Sequence, residues 1–123
     1  MAYTVTYLTD YHLIEIDYKD ILQKKELHQA LAESGELAFK HNTFTFLADC
    51  TQLEGGHSVF DLYEIIATLD KMNVTHRMKE AILFNNDAPI MSNVVFFETT
   101  ARNRGFNVRI FADREKALSW LTS

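Results

Sequence analysis

Residues whose side chains could take part in chemistry follow two short apolar segments of the chain. Others lie at the predicted start of the helix that comes after the first of these segments. The residues with suitable groups there are Asp49, His57, Ser58, Asn85 and Asn86. In an open α/β sheet, ligands bind beyond the carboxyl ends of the parallel strands, where such loops meet. Backbone N–H groups at a helix start could hold a phosphate or a carboxylate there. The competing interpretation is structural, and the residue types favour it, because Asn, Asp and Gly dominate turns and caps.

Enzymatic chemistry has little support in the sequence. Cys50 could be a nucleophile with His57 as its base, but no Arg follows at the spacing of a phosphatase loop. A lone cysteine is commonly a small buried hydrophobe. The five histidines show no H-x-x-x-H spacing, so the sequence predicts no metal site. Gly55 and Gly56 lack the Lys and second-glycine spacing of a phosphate loop, so we expect no cofactor and a protein that is not an enzyme.

The composition is that of one folded domain. The chain has 123 residues, 47% of them hydrophobic, and its one Pro and four Gly leave no room for a flexible linker. We therefore expect a single domain over residues 1–123. A net charge of −5 with dispersed Lys and Arg argues against nucleic acid and anionic membranes as partners. No apolar run approaches the roughly 18 residues of a membrane span. The start of the chain lacks signal-peptide features and there is one cysteine, which together favour the cytoplasm.

The spacing of apolar residues predicts the elements that would position these groups. The predicted strands are Tyr3–Leu8, Tyr11–Ile16, Phe44–Ala48, Ala81–Phe84 and Val108–Phe111. The predicted helices are Leu22–His41, Ser58–Met72, one that Asp87 caps and that ends before Gly105, and one that Asp113 caps, with Trp120 on its core side. The polar segment Asp49–His57 is predicted to be a loop. Right-handed crossovers then predict an α/β fold of order β-β-α-β-α-β-α-β-α. Four helices cover a mixed five-stranded sheet whose first strand is antiparallel at an edge.

Three segments carry a resemblance to a known family: the chain end RGFNVRIFADREKALSWL, the AILF segment and the FLAD segment. They resemble the STAS domain of sulfate transporters and anti-sigma factor antagonists, and most closely the small bacterial SpoIIAA-like or STAS/SEC14-like proteins. The resemblance implies a non-enzymatic regulatory or protein-interaction module, often dimeric. True antagonists carry a phosphorylatable Ser in an Asp-Ser-Gly-like motif. Here GGHSVFD lacks the preceding Asp and has Val59 in place of the Gly, so Ser58 is interpreted as a helix cap.

Two predicted helices carry more apolar side chains than one sheet face covers, since such packing needs a stripe of only about 100°. The surplus residues are Phe60, Tyr63, Met91, Val95 and Phe96. Such a surface favours association, so we predict a homodimer or a protein partner bound through these residues. Two alternatives stay open. One is a groove for a small hydrophobic or anionic ligand, lipid-like or nucleotide-like, and the other is burial between neighbouring helices.

Overall fold

The computed structural model describes residues 2–55, 59–71, 77–85 and 91–123. The strands are β1 (Tyr3–Leu8), β2 (Leu13–Ile21), β3 (Thr45–Gly55), β4 (Lys79–Leu83) and β5 (Asn107–Phe111). The helices are α1 (Lys24–His41), α2 (Val59–Lys71), α3 (Met91–Asn103) and α4 (Arg114–Leu121), and none of them as described is long and apolar enough to cross a membrane. The sheet order is β1-β2-β3-β4-β5, with β1 antiparallel to β2 and every other pair parallel. The predicted α/β fold and its antiparallel edge strand are confirmed.

Helices cover both faces of this sheet. On one face α1, α2 and α3 contribute to the larger core cluster, with side chains such as Ala30, Ile66 and Ala101. On the other face α4 packs against the sheet, and the buried residues of that smaller cluster are Leu13, Leu47, Ala81, Leu83, Ala117 and Leu121. Because neither face is open to water, all four residues from Leu13 to Ile16 are buried. This explains why the polar–apolar alternation of the sequence breaks at the start of β2.

β3 differs most from the sequence prediction. The strand continues to Gly55, so Asp49 and Cys50 lie inside it and not in a loop. The prediction of a loop there was wrong as far as Gly55, and residues 56 and 57 lie outside the described residues. The physical reason is pairing, because the long β2 runs beside β3 as far as the pair Ile21 and Gly55. A neighbouring strand satisfies the backbone groups of a segment whose own residue types have little strand preference.

The last helix begins as the sequence predicts. The Asp113 side chain accepts a hydrogen bond of 2.8 Å from the backbone N–H of Glu115, which caps α4. Trp120 lies on the core side of α4, as predicted, and is half-buried against the smaller core cluster. Its ring packs against Phe111 on the edge strand β5, with 5.6 Å between ring centroids, and the Lys79 ammonium lies 4.8 Å from it. A side chain over an edge strand has no further strand beyond it to complete its burial.

Candidate functional site

A large apolar cavity lies between α1 and the sheet, with α2 and α3 at its side. Its volume is about 530 Å³, which falls within the roughly 300–1,000 Å³ of small-molecule sites. The floor comes from residues that alternate along the three central strands: Ile16, Tyr18, Phe46, Ala48, Glu80 and Ile82. The walls come from the three helices, including Leu31, Ala38, Ile65, Leu69, Val94 and Phe97. The strand period of two therefore presents one row of each strand to this space.

Small residues leave the cavity unfilled. Ala48 lies at its floor on the middle strand, and Ser34, Gly35 and Ala38 face it from α1. A Cβ atom added at Gly35 would meet no heavy atom within 4 Å. The Ser34 hydroxyl donates a 2.6 Å hydrogen bond to the Ala30 carbonyl one turn earlier in α1. Its hydrogen bond is thus made within the helix, and the surface that Ser34 presents to the cavity is small.

Several polar side chains interrupt the apolar lining, among them Tyr18, His28, Cys50 and Glu80. Within the described residues, burial alone acts on the Glu80 carboxyl, with no hydrogen bond or cation, and Nε2 of His28 is buried without a partner. Glu80 pairs with Phe46 in the register of the sheet, and Cys50 lies four residues farther along β3. At about 3.3 Å per residue, those two backbone positions are roughly 13 Å apart. The Glu80 and Cys50 backbones are therefore well separated along the sheet, although the charge of Glu80 still acts on the Cys50 thiol.

Burial raises the pKa of each titratable side chain in the cavity floor. It raises the pKa of Glu80 to about 7. The pKa of the Cys50 thiol is raised by burial first and then by the nearby charges of Glu80 and Asp49. The pKa of Tyr18 is raised by burial first and then by the nearby Cys50, Glu80 and Tyr3. Cys50 is consequently a neutral thiol near pH 7, which is a poor nucleophile. Glu80 is the one group of these three that changes charge near neutrality.

The opposite sheet face carries a second group of titratable side chains, three carboxyls and one arginine. Oxygen atoms of Glu15, Asp17 and Asp49 lie within 4.8 Å of one another. Arg114 donates two hydrogen bonds to Glu15, of 2.6 and 3.0 Å, and lowers the pKa of that carboxyl. Asp49 accepts hydrogen bonds from the backbone and the hydroxyl of Thr51. Burial, followed by the hydrogen bond and charge of Glu15, raises the pKa of Asp17 to about 7. This acidic group contains no histidine, so the spacing of the histidines did not indicate it.

The structure describes two of the five residues that were predicted to bind a ligand. Asp49 lies within β3 opposite Leu83, and its side chain belongs to the acidic group beneath α4. Asn85 is exposed just after β4. The other three residues, His57, Ser58 and Asn86, lie outside the described residues. Ligand binding by this set stays a prediction.

Of the five residues predicted to form an interface, the structure describes two side chains. Val95 is 42% exposed on α3. Phe96 is half-buried and packs against the larger core cluster, so it is less available than the sequence indicated. The side chains of the other three, Phe60, Tyr63 and Met91, lie outside the described part of the chain. Val95 is therefore the described residue that best fits an interface.

Sequence reasoning missed Glu80, Tyr18, His28 and the part that Gly35 plays. A signal for Glu80 was present, because Glu80, Ile82 and Phe84 alternate in the segment KEAILF and therefore share a sheet face. The predicted strand began at Ala81, one residue too late to include that carboxyl. Since Ile82 and Phe84 are buried, a carboxyl in the same row should have marked a buried charge.

Comparisons with known proteins identify the fold of this chain. No family model and no curated protein matches it. Among solved structures, it is similar to an uncharacterized protein of the DUF3478 family with a SpoIIAA-like fold from Shewanella loihica PV-4. The TM-score is 0.65 and the sequence identity 18%, and the likeness covers 98% of this chain and 92% of that one. The chain therefore has a SpoIIAA-like fold, as its family resemblance implied.

Proposed function

We propose that this protein is a non-enzymatic module that binds a small, mainly apolar molecule in the cavity between α1 and the sheet. The observation that carries the proposal is the cavity, about 530 Å³ in volume and bounded mostly by apolar side chains. Small-molecule sites have this composition, a largely apolar lining with a small number of polar groups. Protein interiors otherwise pack like organic crystals, so an apolar space of this size loses contacts that a ligand would restore.

The arrangement of the polar groups supports binding over catalysis. An enzymatic site needs a nucleophile and a base within hydrogen-bond reach of one another. Cys50 is a neutral buried thiol, and Glu80 is about four residues distant along the sheet. On the other face, Arg114 already holds the Glu15 carboxylate with two hydrogen bonds. Among the residues that the structure describes, neither the cavity side chains nor the acidic group beneath α4 places an activated nucleophile beside a base.

Fluorescence titration with the apolar dye N-phenyl-1-naphthylamine tests the proposal. The wild-type protein is expected to bind the dye saturably, with enhanced fluorescence. Gly35→Leu should weaken dye binding at least about tenfold, because a leucine on this face of α1 would occupy part of the space that the dye needs. Gly35→Ala is the matched control, since one methyl group leaves most of the cavity open and dye affinity should stay within about twofold.

A second blocking variant approaches the cavity from the sheet. Ala48→Leu extends a side chain upward from the middle strand and should also weaken dye binding. Circular dichroism and thermal unfolding would establish that each variant is folded. An absence of saturable binding by the wild type, or unchanged affinity in both folded blocking variants, would contradict the proposal.

Self-association through α2 and α3 is the second candidate function, and the exposed Val95 favours it. Light scattering of the native protein should then give about twice the 14.2 kDa chain mass. Val95→Glu should halve that mass, because a two-fold contact meets the same substitution from both chains. Ser119→Glu, at an exposed position of α4 on the other sheet face, is the control and should leave the mass unchanged. A native monomer would rule out this candidate.

A further inference from the structure

The ionisable side chains that line the cavity include carboxyl groups and one histidine, but no lysine or arginine. Glu36 and Glu80 line it, together with His28. All twelve Lys and Arg residues of the chain lie within the described residues, and none of them is among the lining residues. An anionic ligand such as a fatty acid would therefore enter a site that holds carboxylates and no permanent cation. Transfer of an unpaired charge into such surroundings is costly.

Two basic side chains, one on α1 and one just before β4, are engaged in other contacts. The Lys24 ammonium forms a 2.7 Å ion pair with Glu64, joining α1 to α2. The Arg77 guanidinium lies 4.0 Å from the centre of the Phe44 ring. Arg77 is exposed, whereas Glu80 is half-buried in the floor. Neither basic group stands as a counterion to Glu80, since burial alone acts on that carboxyl.

The surroundings of Glu80 favour a cation. Phe46 pairs with Glu80 across β3 and β4, and the rings of Tyr18 and Phe97 also line the cavity. Aromatic faces attract cations through their quadrupole. Tyr18 and Cys50 stay uncharged near neutrality because burial raises the pKa of both. Glu80 is thus the anionic group in an otherwise apolar and aromatic floor.

We propose that the cavity takes a cationic amphiphile, a protonated amine with an apolar chain or ring, and that its ammonium group pairs with the Glu80 carboxylate. The inference rests on the proposed binding function and adds the chemical class of the ligand. The ammonium would donate charge-assisted hydrogen bonds to Glu80, and the apolar part would fill the space above Ala48 and beside Gly35. The ligand would thereby supply a counterion that no described residue provides to Glu80.

Competition by three ligands with the same chain length tests this inference. Decylamine, 1-decanol and decanoate would each displace N-phenyl-1-naphthylamine from the wild-type protein at about pH 8, where the amine is protonated and Glu80 is ionised. Decylamine should displace the dye at a concentration at least about tenfold below that of decanol, and decanoate should be the weakest. Glu80→Gln should remove the advantage of the amine and leave the affinity for decanol within about twofold.

Glu54→Gln is the matched control, because Glu54 is an exposed carboxylate of β3 outside the cavity lining. It makes the same change in net charge and should keep the preference for the amine. Decanoate binding as tightly as decylamine, or an amine preference that survives in folded Glu80→Gln, would overturn the inference. Dye binding that Gly35→Leu blocks, without any amine preference, would leave the proposed function standing and refute only the ligand class. Absence of dye binding would refute both.

Discussion

The two faces of the sheet differ in how closely their side chains pack and in whether a cation lies beside a buried carboxyl group. Beneath α4, Leu13, Leu47 and Ala81 are fully buried, and the nearby Glu15 carboxylate is held by Arg114. Beneath α1, a cavity of about 530 Å³ remains, and Glu80 has no counterion among the described residues. Close packing with an arginine beside the carboxyl group is what a purely structural face requires. Unfilled apolar space beside an unpaired carboxyl is what a ligand would complete.

Two leucines of β3 provide the strongest test of this contrast. Leu47 is fully buried beneath α4, and Leu53 is almost as buried but lines the cavity. Leu47→Ala should lower the free energy of unfolding by about 3–5 kcal/mol, because it opens a new cavity in a closed core. Leu53→Ala should cost about 2 kcal/mol, since it only enlarges an existing space. Urea denaturation measures both, and equal losses would mean that the two faces are equally well packed.

The buried carboxyl in the cavity should make stability depend on pH. Burial raises the folded-state pKa of Glu80 to about 7, above its ordinary value of 4.5. Between those values the folded state binds more protons than the unfolded state, so this group lowers stability as pH rises. Glu80→Gln should therefore stabilise the protein by about 1–3 kcal/mol at about pH 8 and change little near pH 5.

Urea denaturation of the wild type, Glu80→Gln and Glu54→Gln at both pH values would measure this dependence. The Glu54 variant controls for the loss of one exposed charge. A stability difference between wild type and Glu80→Gln that does not change with pH would show that Glu80 is solvated and ionises normally.

The paired carboxylate on the other face should respond in the opposite direction. Arg114 lowers the pKa of Glu15, so their interaction stabilises the fold above the ordinary pKa of Glu15 and is lost as pH falls through the folded value. Arg114→Leu should cost about 1–2 kcal/mol at neutral pH, less than for a fully buried pair because Arg114 is partly exposed. A double-mutant cycle with Glu15→Gln isolates the pair, and an interaction energy near zero would show that the contact contributes nothing.

The smallest expected effect comes from the roof of the cavity. Gly35→Ala should stabilise α1 by up to about 1 kcal/mol, because alanine is the better helix former and its methyl group meets no other atom. Thermal unfolding measures the change. A destabilised variant would mean that α1 lies closer to the sheet than the cavity implies.

Local patterns were sufficient for the order of the elements. The hairpin, the four helices and the cap at Asp113 follow from alternation, helical spacing and one side-chain oxygen, all of which act over a few residues. The right-handed crossover rule then orients the parallel strands. The full length of β3 was beyond such reasoning, because the segment from Gln52 to Gly55 pairs with the neighbouring β2, and local residue types do not reveal that pairing.

The amino-acid pattern was enough to predict the fold class and the element order, and it shows that Ser34, Gly35 and Ala48 are small. That these small residues face one another across an empty space, with Glu80 at its floor, follows from the packing of α1 on the sheet. The physical reason is that periodicity assigns a residue to a face of its own element, whereas a cavity depends on the distance between two elements. That distance is set by every side chain that packs between them.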